Sequence, residues 1–184
     1  MKRLFTLILS ITFLSVHAQS YKVTLQAPQY KSGIAYLTYH MGKNLNIEDS
    51  AAVSNTGTAI FQAKRKLLPG IYAMVLPGKS KLVDFFVDKE QVITVKLDTT
   101  DLLNKTVITG SKENILFEQY QKTMAVKGRQ WEAERTAYSQ SKTKEDSLLH
   151  EANYNKLNKD LNEYRENIMK TQPQSMLAAV LSAM

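Results

Sequence analysis

Four apolar runs cut by turn residues at nearly even intervals, between Gly57 and Asp98, constrain this chain more than any other feature. The cuts fall at Leu68-Pro69-Gly70, Pro77-Gly78-Lys79-Ser80 and Asp88-Lys89-Glu90. Glycine and proline at such points end one run and reverse the chain before the next. Strands are expected near residues 58–65, 70–76, 81–87 and 91–97, laid side by side as an antiparallel meander. The doubled pairs Ile60-Phe61 and Phe85-Phe86 put an apolar side chain on each face of a strand. A single open sheet would leave half of these in water, so two packed sheets are expected.

Upstream, Tyr21-Lys22-Val23-Thr24-Leu25 alternates apolar and polar residues, and Pro28 ends it. Ile34 to His40 is rich in β-branched and aromatic residues, and Ile47 to Val53 is a weaker run carrying Asp49 and Ser50. Asn55-Thr56-Gly57 is turn chemistry, with Gly57 free to take a positive φ. Thr106-Val107-Ile108-Thr109 closes the series before Gly110. About eight short strands with a turn between each describe a β-sandwich.

At Gly110-Ser111 the apolar period changes from two to nearly four. Ser111 suits an N-cap and Glu113 the positive first turn of a helix. Leu116, Tyr120, Met124, Lys127 and Trp131 then share one face, with Gly128 as a weak point where a bend or break is expected. Ser139-Gln140-Ser141-Lys142 is a loop, and Thr143 with Asp146 marks the next helix start. Tyr154, Leu157, Leu161, Tyr164 and Ile168 form a seam too short for a long coiled coil. Its expected partner is the first helix, folded back as a hairpin. The same helix in a second copy, giving a homodimer, is the alternative. Pro173 stops this helix, and Ser175 caps an apolar third one whose abrupt end at Met184 suggests further sequence. The expected fold class is thus mainly β plus α: an antiparallel β-sandwich of about eight strands, a helical hairpin and a short C-terminal helix.

Composition narrows the function classes. Lys2 and Arg3, an apolar run from Leu4 to Val16, and small residues at Val16 and Ala18 read as a signal peptide over residues 1–18. That run is too short to span a bilayer, so no transmembrane segment is expected after cleavage. The two leading cations account for part of the formal charge of +7. What remains is a solubility feature and not a nucleic-acid footprint. The Lys64-Arg65-Lys66 cluster reads as a solvated turn. Cysteine is absent, which removes disulfides, thiol redox chemistry and thiolate metal sites from this chain.

No catalytic constellation emerges. His40 and His150 have no second His or Cys at ligand spacing, so no metal and no cofactor is expected. Asp84, Asp88, Asp98 and Asp101 stand at strand ends and turns, where Asp bonds local backbone. There is no Gly-rich phosphate loop and no nucleophile elbow. Tyr36, Tyr39, Tyr72 and Phe86, with Tyr21, could instead form an aromatic sugar-stacking face. Against this stands their use as core and cross-strand pairs.

Several motifs in fixed order resemble one family. They are Gly33-Ile34-Ala35-Tyr36-Leu37, Glu48-Asp49-Ser50-Ala51, Gly57 with Phe61, Pro69-Gly70-Ile71-Tyr72, and Thr109-Gly110-Ser111-Lys112-Glu113-Asn114. From Tyr21 to about residue 115 the chain resembles the N-terminal domain of unknown function, DUF4369-like, of exported thioredoxin-like (TlpA/ResA, AhpC/TSA-related) proteins of the Bacteroidetes type. The leader ending in Ala18-Gln19 is similar to theirs. The resemblance implies a periplasmic or cell-envelope β-sandwich set beside a thiol–disulfide oxidoreductase domain, whose Cys-x-x-Cys has no counterpart here. The expected organisation is a signal peptide at 1–18, a β-sandwich at 19–110 and a helical segment at 111–184. The expected role is a non-catalytic module that positions, dimerises or docks, with a thioredoxin-like domain in cis or an envelope protein as partner. The alternative is a stand-alone periplasmic glycan or lipid binder.

Overall fold

The computed structural model describes residues 20–78 and 82–184. The expected signal peptide lies outside the described residues. Eight strands follow in order: β1 (Tyr21–Gln26), β2 (Ile34–Met41), β3 (Asn44–Ala52), β4 (Thr58–Ala63), β5 (Gly70–Val75), β6 (Leu82–Val87), β7 (Val92–Lys96) and β8 (Val107–Thr109). They form two four-stranded sheets, β4-β1-β7-β8 and β3-β2-β5-β6. Val23, Leu25, Leu37, Phe61, Phe85, Ile93 and Val95 fill the space between them. The expected sandwich is present.

The meander is not. Of the four runs between Gly57 and Asp98, only β5 and β6 pair with each other. β4 pairs antiparallel with β1, and β7 pairs parallel with β1. The reason lies in the connections. After β4 the chain crosses sheets through Lys64–Pro69, where Leu67 is buried and Tyr21 N–H donates to Arg65 C=O. After β6 it crosses back at Gln91, whose amide bonds the main chain of Leu67 and Asp88. Lys22 N–H donates to the Gln91 carbonyl, which seats β7 beside β1. Local turn residues show that a chain reverses. They do not show which sheet receives it.

Gly57 takes the positive φ expected of it, 81°. A Cβ there would come within 2.3 Å of the Ala27 carbonyl oxygen, so the site also needs glycine for its close approach.

Four helices are found among the described residues: α1 (Leu102–Lys105), α2 (Lys112–Gln140), α3 (Lys144–Thr171) and α4 (Met176–Ser182). The sequence reading missed α1, although Asp101 caps it by accepting from Asn104 N–H. α2 runs through Gly128 without a break in the helix. α3 packs back on α2 as the expected hairpin. Tyr120 and Tyr164 stack with their planes 10° apart, and Trp131 meets Tyr154 edge-on. Lys127, on the expected seam, reaches Asp160 at 3.6 Å. α4 and the lower parts of α2 and α3 cover one patch of the β5–β6 outer face, around Phe86, Ile168, Leu177 and Leu181.

Candidate functional site

Two places gather chemistry. The first is one end of the sandwich, where β3 carries a bulge. Leu37 faces Asp49 and Thr38 faces Ile47, so Glu48 is an extra residue in the register. In a regular strand Glu48 and Asp49 would point to opposite faces; the added residue turns both toward the other sheet. Asp49 accepts from the Tyr21 hydroxyl at 2.9 Å, and Glu48 pairs with Arg65. The Arg65 guanidinium also lies 5.6 Å from the centre of the Tyr21 ring. Asp49 therefore latches β3 to β1 of the other sheet, and Glu48 ties β3 to the crossing connection after β4.

Beside this latch is a recess of about 340 Å³ whose walls include Tyr39, Tyr72, Glu48, Arg65 and Leu68. The Tyr39 and Tyr72 rings lie 6.2 Å apart, and the Tyr72 hydroxyl donates to the Leu68 carbonyl. Burial, with the Glu48 charge second, pushes the Tyr72 phenol up to about 12. Burial and the bond to Asp49 raise Tyr21 as well.

The four aromatic residues weighed as a binding face do not share one, and Tyr39 and Tyr72 stand instead as a cross-strand pair. Tyr39 packs against the sandwich core, and Tyr72 is buried within it. Phe86 is fully buried on the other side of its sheet, 4.5 Å from Phe117 of α2. Tyr36 is half-buried on that outer side. Strand parity explains the split: Tyr36 and Tyr39 are three residues apart on β2, so they must face opposite ways.

The second place is a groove of about 460 Å³ between the two sheets' free edges. Its walls are Val83 and Asp84 of β6, Leu102 and Leu103 of α1, Ile108 of β8, and Glu118, Gln121 and Met124 of α2, with Thr106 and Tyr120. Both β6 and β8 end their sheets. The groove is mostly apolar, and the Thr106 hydroxyl in its wall is buried without a hydrogen-bond partner. An unpaired buried hydroxyl costs free energy, which is notable beside a cavity. Asp84 and Glu118 are its charged residues, each with an outward partner: His40 Nε2 at 2.9 Å and Lys122 Nζ at 2.5 Å. Sequence reasoning missed this groove because α1 and the β6–β8 adjacency are both needed to see it. The Asp101 cap was the available signal.

One residue sets how the helices meet these edges. Asn114, in the first turns of α2, is fully buried. Its side-chain oxygen accepts from Phe86 N–H and its amide donates to Phe86 C=O, both at 2.7 Å. A side chain thus imitates a neighbouring strand for one residue of an edge.

The model for the domain of unknown function DUF4369 matches residues 21–117, more than half of the chain. The chain belongs to the DUF4369 family. The matched region takes in all eight strands and ends on α2 just past Asn114, so the DUF4369 unit includes the amide grip on Phe86 as well as the sandwich. Most of the helical hairpin lies beyond it. Comparison with curated proteins and with solved structures returned no match. Among the described residues, no three His, Cys, Asp or Glu side chains stand together as a metal site. No described helix is long and apolar enough to cross a membrane.

Proposed function

We propose that this DUF4369 protein is a non-catalytic, exported module of the cell envelope. In this reading it positions a thioredoxin-like domain, in cis or on a partner protein, with the sandwich as base and the α2–α3 hairpin as arm. The observation that carries the reading is the double hydrogen bond from Asn114 to Phe86. It ties the root of α2 to the main chain of an edge strand, where Phe117 and Leu177 add apolar burial. A long hairpin anchored in this way holds its far end at a set place, which a spacer or docking arm requires. That far end presents exposed Leu148 and Leu149. The lack of cysteine supports a supporting role over a redox one.

The glycan-binding alternative has less support, because stacking on a sugar needs an open ring face and both Tyr72 and Phe86 are buried.

The test combines the coding sequence and the cell. Photo-crosslinkers placed at Leu148 and Leu149 are expected to capture a thioredoxin-like domain, or the codons after Met184 to encode one. The protein is expected in the periplasmic or envelope fraction. Cytoplasmic fractionation, or a stop codon after Met184 together with no thioredoxin-like protein among the captured products, overturns the reading.

A further inference from the structure

The free edge of β6 has a register that can be read from Asn114. In an antiparallel pair, opposed residues alternate between those that bond across to each other and those whose main-chain groups point away. Phe86 gives both of its groups to Asn114, so the Ile71–Phe86 pair is of the second kind. The β5–β6 register continues without a shift to Ala73–Asp84, two residues along. Asp84 N–H and C=O are therefore aimed away from β5, on the edge that bounds the groove. At Phe86 this edge already holds an amide that stands in for a strand. The next outward pair belongs to Asp84, which with Val83 forms the β6 wall of the groove.

From this alignment we infer that the groove between β6, β8, α1 and α2 is a docking site for an extended peptide segment of a partner protein, which adds itself as a short strand at Asp84. Main-chain bonds at the edge hold such a segment, and pockets for alternate side chains select it. Leu102, Ile108 and Met124 receive an apolar side chain. The groove's charged residues are both acids, and no Lys, Arg or His lines it, so basic residues flanking the apolar one fit best. Because His40 and Lys122 already partner the two acids at partly exposed positions, charge supplies the smaller part of the selection. The inference names a contact for the docking role proposed above and rests on that role.

The probe is a blocked pentapeptide, Lys-Val-Thr-Val-Lys, titrated into the full chain with amide signals followed by NMR. Its controls are the Glu-flanked version and two N-methylated versions, one methylated at the central residue and one at both valines. Binding is expected to shift the Asp84 amide and slow its exchange. Only one face of an extended peptide meets the edge, so one methylated version should lose at least about tenfold in affinity while the other stays near the parent. The Glu-flanked peptide should bind about three- to tenfold more weakly. Leu103→Arg, a change on the peripheral α1, should weaken the Lys-flanked peptide with the fold intact. No shift at Asp84 up to about 1 mM peptide overturns the inference. So does equal binding by both methylated versions, or equal loss by both, since either result makes the groove a side-chain pocket and not a strand site. These outcomes are independent of the crosslinking and fractionation results, so failure here and failure of the positioning role are told apart.

Discussion

Asn114 of α2 holds both main-chain groups of Phe86 on β6, at 2.7 Å each, inside a fully buried contact. Removing the amide leaves a buried N–H and a buried C=O unpaired. Asn114→Ala is expected to cost about 2–4 kcal/mol of stability by urea denaturation. Asn114→Asp keeps the acceptor for Phe86 N–H but sets a carboxylate against Phe86 C=O. Protonation restores a donor, so the Asp variant should recover stability as pH falls from 7 to 4, and the Ala variant should not. Equal urea midpoints for wild type and Asn114→Ala would show the grip to be idle.

Gly128 lies inside α2, and a Cβ there meets nothing within 4 Å. It has ordinary helical conformation and no packing role that requires glycine. Gly128→Ala should stabilise the hairpin by about 1 kcal/mol, seen as a higher melting temperature and slower amide exchange in the middle of α2. A lower melting temperature would mean that another molecule or segment approaches the helix at this point.

Gly110, where strand gives way to helix, is the opposite case. Its φ is 89°, and a Cβ would stand 2.1 Å from the Val92 carbonyl oxygen. The conformation alone should cost an alanine about 1–3 kcal/mol, and relieving the clash requires backbone to move. Gly110→Ala is expected to lower the thermal midpoint far more than Gly128→Ala raises it. Similar small effects from the two changes would contradict this geometry.

The sandwich should weaken in alkali. Burial raises Tyr21 and brings Tyr72 to about 12 in the folded protein. A raised phenol pKa means that the folded state keeps its proton where the unfolded chain has lost it. The stabilisation is therefore complete below pH 10, the ordinary tyrosine value, and is lost as pH rises toward 12. Urea midpoints from pH 8 to 11.5 should fall at the upper end, and Tyr72→Phe should make that fall shallower. An unchanged slope in the variant would remove Tyr72 as a cause.

The aromatic residues show how far a linear reading reaches. Their strands were legible, since β-branched and aromatic residues between turn marks have few other ways to fold. Their faces were legible in part: the three-residue step from Tyr36 to Tyr39 already places them on opposite sides of β2. The placement of Glu48 was not. Its direction depends on a bulge paired against Leu37 and Thr38, and nothing in the local run Asn44 to Ala52 announces one.

The sequence by itself determined where most strands stop and the two long helices begin, that two apolar faces must be covered, and that the apolar seam of α3 needs a helical partner. These follow from periodicity, caps and turn residues, which act over a few neighbouring positions. The tertiary structure decided that β7 lies parallel to β1, that α1 and two free sheet edges enclose a groove, and that Asn114 closes the edge at Phe86. Each of those depends on groups far apart in the chain meeting in space. Strand pairing is settled by which main-chain donors and acceptors remain unpaired after the whole sandwich has closed, and no local pattern carries that information.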